Sequence, residues 1–425
     1  MNGRDMYNLC KKLFPICRSI TGDGLRQTLR ILQEYLPSLT LHEVPSGTKV
    51  FDWEVPKEWN IRDAYIETED GKRIVSFKEN NLHVMGYSIP TDTWLTKDAL
   101  LEHVYVEESA PDAIPYVTSY YKERFGFCMT KTQRDALPDG RYHCVVDSTL
   151  ENGSLTYGEL VIRGKKEDEI LLSTYVCHPS MANNELSGPA VMTALSAFIE
   201  QLSNRRYTYR ILFIPETIGS ITYLSTHLKE LQAHVKAGFL LSCVGDDRCY
   251  SYIPTRKGNT LSDRILTHVL NSLHPGYTAY RFRDRGSDER QYNAPGVDLP
   301  VCVFCRSKFG VYPEYHTSLD NLDLISEKGL DGSLSCMQEV IRALEYNRFY
   351  RVTCLCEPQL GKRGLYPTVS KKGSYDEILS MRELLAYADG ENDLLDISKK
   401  TDIPLVEFYP LIDKLLPEGL LAIED

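Results

Sequence analysis

Hydrophobic positions at helical spacing open the chain. Tyr7, Leu9, Leu13 and Phe14 are followed by a Ser19-Ile20-Thr21-Gly22-Asp23-Gly24 break, after which Leu25, Leu29, Leu32 and Leu36 resume the period. From about 50 to 115 the period shortens to two. Ala64-Tyr65-Ile66-Glu67-Thr68 and Arg73-Ile74-Val75-Ser76-Phe77 alternate on either side of Glu69-Asp70-Gly71, which predicts a small β-rich module. From about 140 to 350 apolar strand runs alternate with helices. Strands are predicted at Glu169–Val176, Tyr209–Pro215, Ala237–Val244 and Leu299–Cys305, and helices at Gly188–Leu202 and Leu261–Leu273. Such alternation builds an α/β sheet with helices on both faces and functional groups at the carboxyl ends of its strands. Beyond the connector Glu357-Pro358-Gln359-Leu360-Gly361, helices are predicted at Glu377–Tyr387, Leu395–Lys400 and Leu405–Leu416, with a turn at Thr401–Pro404 and a strand at Gly419–Glu424. That order is the layout of a winged helix. The expected organisation is an α/β domain from 1–50 and 116–356, a β-rich insert at 51–115 and a winged helix at 357–425.

Composition narrows the class. A chain of 425 residues exceeds one ordinary core, and 42% hydrophobic with 25% charged residues excludes disordered and low-complexity classes. No apolar run approaches the roughly 18 residues of a membrane span. The amino terminus lacks a signal-peptide layout, so a cytoplasmic protein without membrane partners is expected. The 48 Lys and Arg against 59 Asp and Glu leave −11, a poor balance for nucleic acid. The winged helix repeats this: from Gln359 to Asp425 there are eight basic and thirteen acidic residues, and its third helix offers only Lys414. A major-groove reader needs more cations, so this tail is expected to dock a protein surface or a second subunit. The twelve cysteines lie largely in apolar runs and read as reduced, buried thiols. Cys302-Val-Phe-Cys305 and Cys354-Leu-Cys356 fit no standard zinc knuckle.

Three predicted strand ends carry polar clusters: Cys177-His178-Pro179-Ser180 through Asn184-Glu185-Leu186-Ser187-Gly188, then Ile214-Pro215-Glu216-Thr217-Ile218-Gly219-Ser220, then Glu314-Tyr315-His316-Thr317-Ser318-Leu319-Asp320. Each alone has a bland explanation, since an isolated histidine is commonly a satisfied polar residue and Glu216 could cap the helix after it. Two histidines with an acidic or amide group suit one zinc, and a glutamate beside them suits the base that deprotonates water. Arg290, in Ser287-Asp288-Glu289-Arg290-Gln291-Tyr292, could grip a substrate carboxylate. Asp246 and Asp247 read more readily as a solvated pair than as an amine site.

These strings, with Phe14-Pro15-Ile16-Cys17-Arg18-Ser19-Ile20-Thr21-Gly22 and Phe51-Asp52-Trp53-Glu54-Val55-Pro56-Lys57-Glu58-Trp59, resemble the M28 zinc-peptidase superfamily over nearly the whole chain. More narrowly they resemble its DUF4910/DUF2172 subgroup, which carries a small β insert and a C-terminal winged helix. The resemblance implies a three-layer α/β/α zinc-aminopeptidase-like sandwich, His178 and His316 as metal ligands, Glu216 as general base, and Arg290, Tyr292 and Tyr315 along the substrate pocket. It also implies that position 184 corresponds to an aspartate bridging two metals. Here that position is Asn184, Thr217 stands where a second metal-binding glutamate is usual, and Ser242 where an aspartate is usual. One zinc is therefore expected rather than two, held by His178, His316 and one of Asn184, Glu185 or Asp288. A neutral amide is a poor ligand, so the ion would be weakly held or lost. The expected activity is a zinc-dependent aminopeptidase or related amide hydrolase acting on a small peptide or amide. The alternative is a catalytically degenerate binding protein that docks a partner through its winged helix. Genes for similar proteins often lie near surface-polysaccharide genes, which adds a modified sugar or an aminoacylated compound to the candidate substrates.

Overall fold

The computed structural model describes residues 1–365 and 378–424. They divide into two compact units, one of residues 1–263 and 276–335, the other of 264–275 and 336–425. No helix among the described residues is long and apolar enough to cross a membrane.

The first unit is organised by an eight-stranded sheet. Its strands in chain order are β1 (Thr40–Pro45), β2 (Ser154–Ile162), β3 (Glu169–Tyr175), β4 (Thr208–Ile214), β5 (Val235–Leu241), β6 (Ser251–Ile253), β7 (Thr278–Ala279) and β8 (Val301–Cys305). In space they run β1-β2-β4-β3-β5-β8-β6-β7. β3, β4, β5 and β8 are parallel neighbours, and β3 and β4 are buried along their whole lengths, as continuous apolar runs require. After the amino-terminal helices α1 (Gly3–Leu13) and α2 (Asp23–Tyr35), helix α3 (Ser187–Gln201) carries the chain from β3 to β4, and α4 (Ile218–His234) carries it from β4 to β5. These two crossovers move in opposite directions across β3. Because parallel crossovers are right-handed, the two helices cover opposite faces of the sheet, giving three layers. The crevice between the carboxyl ends of β3 and β5 is a topological switch point, where ligands bind in such sheets.

A four-stranded antiparallel sheet adjoins this body, ordered Arg73–Ser76, Glu58–Thr68, Arg141–Glu151, Thr91–Thr96. It draws the strand Arg141–Glu151 from beyond residue 115. Residues 114–116 reach the main domain: the Tyr116 amide donates to the His316 carbonyl at 2.8 Å, Pro115 bridges Thr317, and Ser318 Oγ accepts from the Ile114 amide at 2.9 Å. The insert thereby supplies one wall above the crevice.

In the second unit, helices Leu379–Tyr387, Leu394–Thr401 and Leu405–Leu415 accompany a sheet ordered Asp389–Asp393, Phe349–Val352, Leu421–Glu424. This is a winged helix. The predicted helix start at Glu377 lies outside the described residues. Two strands were not expected from the sequence, because Phe349–Val352 and Asp389–Asp393 are short and pair only with segments distant along the chain. Asp393 caps Leu394–Thr401 by accepting from the Asp396 amide at 2.9 Å and also pairs with Arg264 at 2.9 Å.

Glu58 ties three segments of the first unit together. It accepts from Arg26 on the helix Asp23–Tyr35, from the Ser154 amide of β2 at 2.9 Å and from Asn60 at 3.0 Å. The hydrogen bond from Arg26 is the main cause that holds its carboxyl down at about 2, against the opposing effect of burial. A depressed folded pKa gives stability that is complete above the ordinary 4.5 and is lost as pH falls toward about 2. Glu58→Gln should therefore lower stability near neutral pH by about 1–2 kcal/mol, allowing for solvent reaching the pair. Denaturant titrations of both proteins should show the gap closing between pH 4.5 and 2. A gap independent of pH would exclude this role.

Candidate active site at the switch point

His178 lies three residues beyond the end of β3. Its Nδ1 lies 2.8 Å from Glu185 Oε2, and the other carboxylate oxygen accepts from the Cys177 amide at 2.6 Å. Arg18 approaches the same carboxylate at 3.7 Å and donates to the His178 carbonyl at 2.9 Å; Arg18 and Glu185 side chains are wholly buried. Burial alone would push the His178 imidazole down, yet its neighbours Cys177 and Glu185 hold it well above its ordinary value. Burial pushes Cys177 up to about 11, so it is a neutral thiol, which leaves Glu185 as the charge favouring a proton on Nδ1. Glu185 thus fixes the ring so that Nε2 faces the crevice, 3.6 Å from Glu216 Oε2.

His316, on the loop after β8, lies with its ring centroid 5.4 Å from that of His178. Burial and the neighbouring His178 push it down to about 3, so it is a neutral imidazole, and its Nε2 is buried with no hydrogen-bond partner. Tyr116 packs edge-on against both imidazoles at 5.0 and 5.1 Å, and Tyr315 stacks on His316 at 3.9 Å. Glu216, at the end of β4, accepts from Ser287 Oγ at 2.5 Å through its second oxygen. His178, Glu216, Thr217, His316 and Cys177 line a cavity of about 350 Å³, whose remaining wall is largely aromatic: Trp53 of the insert, and Tyr116, Tyr120 and Tyr121 just after it.

The other sequence-selected residues surround this centre with different engagements. Asn184 donates from Nδ2 to Tyr175 at 2.7 Å, while its Oδ1 is buried without a partner. Asp288 accepts from the Thr217 amide at 2.7 Å and from Ser220 at 2.8 Å, capping α4, and its other oxygen has no partner. Burial and Glu216 push its carboxyl up to about 7. Arg290 is exposed and donates to Thr217 Oγ1 at 3.1 Å. Tyr292 is fully buried against Ser173 at 2.9 Å, so the structure does not bring it to the cavity wall. Ser242 shares a hydrogen bond with Tyr175.

Cys177, His178 and Glu185 also place one ligand atom each within 4.8 Å of one another. A cation there would displace the Nδ1 hydrogen bond and face the guanidinium of Arg18. The two imidazole Nε2 atoms are a better start for a zinc donor set, because that of His316 is an orphaned buried nitrogen and such atoms call for a missing partner. Sequence reasoning assigns no role to Arg18, Asp320, Tyr116, Tyr120 or Tyr121. Asp320 accepts from the Asn183 and Asn184 amides at 2.6 and 3.0 Å and from Tyr312 at 2.7 Å, shaping the turn that presents Asn184. The acidic residue four positions after His316 is the only signal for it in the chain.

Comparison with known proteins agrees with this architecture. A model described as a domain of unknown function, DUF4910, matches residues 7–347, and a winged helix-turn-helix model matches 348–423. A Clostridium acetobutylicum protein, provisionally named a polysaccharide biosynthesis protein with an aminopeptidase-like domain, is 48% identical over 99% of this chain and 96% of its own. A crystal structure from Clostridium acetobutylicum, provisionally named a peptidase, superposes with a TM-score of 0.93 at 46% identity, covering 99% of this chain and 96% of that one. A zinc aminopeptidase from Bacillus subtilis shares the fold at a TM-score of 0.59 and 11% identity, over 81% of this chain and 95% of that one. With an aminopeptidase-like α/β body and a C-terminal winged helix both matched, the chain belongs to the DUF4910 family.

Proposed function

We propose that the chain is a zinc-dependent amide hydrolase, an aminopeptidase or a chemical relative of one, acting on a small peptide or amide. The pair of imidazoles carries this reading: two rings 5.4 Å apart, with the orphaned His316 Nε2 and the His178 Nε2 beside Glu216. His178 and His316 would hold one zinc, and the third position falls to Asn184 or Asp288, each of which keeps an oxygen without a partner. Bound there, zinc would supply a Lewis acid for the scissile carbonyl and lower the pKa of water. Glu216 takes the proton from water and delivers it to the leaving nitrogen. Ser287 holds the Glu216 carboxylate from the side away from His178. Glu185 keeps His178 in the tautomer that offers Nε2, and the aromatic wall excludes bulk water. The acidic winged helix is read as a docking module for a protein or a second copy, and the compartment as the cytoplasm.

Elemental analysis of untagged protein purified without chelator should find about one zinc per chain. Both His178→Ala and His316→Ala should lose it. Glu216→Gln should keep the metal while kcat on a cleaved amide falls by roughly 10²–10⁴-fold. Absence of metal after incubation with excess zinc would sink the hydrolase mechanism and leave a pocket that binds without cutting. The role given to Glu185 has a separate readout. Glu185→Gln should weaken zinc binding by about 10–100-fold in a competition titration, and an unchanged affinity would remove it from the centre.

A further inference from the structure

The surroundings of the cavity are chemically lopsided. Among the described residues lining it, Glu216 is the one carboxylate. A substrate with a free ammonium group would have that side chain as its nearest acidic partner, and the pairing would occupy the base the reaction needs. The opposite charge is present at the rim. Arg290 is exposed and reaches Thr217, which lines the cavity, and Tyr315 lies in the field of both Glu216 and Arg290. The loop leading to Ser287 also exposes Arg281, Arg283 and Arg285, whereas its acids Asp288 and Glu289 turn inward onto backbone amides. Asp284 pairs weakly with two of these arginines, at 3.8 and 3.6 Å. In a chain of net charge −11 this is a locally cationic loop, tied to the cavity through Arg290 and Thr217. The far wall offers flat surface: Trp53 and Tyr121 meet edge to face at 5.6 Å and remain 40% and 57% exposed.

Resting on the hydrolase reading above, we infer that the substrate is an N-acylated, anionic amide: an apolar acyl group or ring packed on Trp53 and Tyr121, and a carboxylate held by Arg290. An N-acyl amino acid has this chemistry; a peptide with a free cationic amino terminus does not. In the reaction the C–N bond breaks, the water oxygen adds to the carbonyl carbon, and the nitrogen gains the proton carried by Glu216. The products are a carboxylate and an amine. Arginine suits the anchoring role because its fork pairs with a carboxylate through two parallel bonds.

Binding of two probes to the full-length protein with its native metal tests the inference, followed by calorimetry and by fluorescence of Trp53 in the cavity wall. N-benzoylglycine should bind at least about tenfold more tightly than phenylalaninamide. Its affinity should fall as added salt screens the Arg290 contact. Arg290→Gln should lose about tenfold or more for N-benzoylglycine and nothing for phenylalaninamide. If that variant does not fold, the salt dependence of wild-type binding decides the matter. Equal or tighter binding of phenylalaninamide, salt-independent binding of N-benzoylglycine, or no binding of it overturns the inference. Binding of N-benzoylglycine without cleavage would defeat the catalytic reading alone. Cleavage of phenylalaninamide without affinity for N-benzoylglycine would defeat the substrate class alone.

Discussion

Glu185 and Arg18 are both removed from solvent, 3.7 Å apart, in the floor of the first unit. Burying two charges is costly unless each is paired and the remaining polar atoms are hydrogen-bonded. Here the carboxylate accepts from the Cys177 amide and meets His178 Nδ1, with Arg18 at 3.7 Å, while the guanidinium donates to the Leu13 and His178 carbonyls and leaves its Nη2 buried without a partner. The pair therefore fixes three things at once: the exit of β3, the ring plane of His178 and the amino-terminal segment that contributes Arg18. Removing one partner would leave the other charge buried and alone. Everything placed at the crevice depends on that pairing, since His178 Nε2 can face Glu216 only while Nδ1 is held from behind.

The same logic explains where the acids of this region go. Asp320 satisfies two amides at the start of the turn carrying Asn184, Asp246 accepts from Asn183 and Ser307, and Asp288 caps α4 from outside the helix. Each of these acids thus has at least two donors, whereas Glu216 accepts one hydrogen bond, from Ser287, and turns its other oxygen toward His178. If His178 and His316 hold a metal as proposed, few free charges lie beside it, which would favour one ion over two. In that reading water activation would fall on Glu216, whose second oxygen faces His178.

Much of the body is legible in the sequence because its parallel strands are continuous apolar runs, and the polar clusters bounding them must emerge at one edge of the sheet. That places His178, Glu216 and His316 near one another before any coordinates. Long-range placement is not legible. Arg18 acts on a carbonyl 160 positions away, and a lone arginine in a sequence reads as a surface residue. Tyr116 reaches His316 through the insert, whose reach over the crevice follows from tertiary packing. Glu185 is ambiguous for a local reason: one residue from Asn184, it could equally be ligand or support, and only the Nδ1 contact separates the two. Tyr292 shows the reverse error, where a polar-looking loop tyrosine turns inward to Ser173.

Backbone conformation completes the centre. Thr217, Cys243, His316 and Ser180 all take left-handed φ values, +64°, +53°, +57° and +41°, at the ends of strands or in the loops after them. Such a conformation is disfavoured for non-glycine residues and most of all for a β-branched threonine, so surrounding contacts must hold it. At Thr217 those contacts are visible: Asp288 takes its amide and Arg290 its hydroxyl. The kink turns the chain from β4 into α4 while leaving the preceding Glu216 in the cavity. At His316 the carbonyl is held by the Tyr116 amide, so the insert stabilises the turn that presents the imidazole. The β insert is therefore part of the machinery in two senses. It supplies the aromatic wall, and through one backbone hydrogen bond it maintains the strained loop on which the second histidine rides.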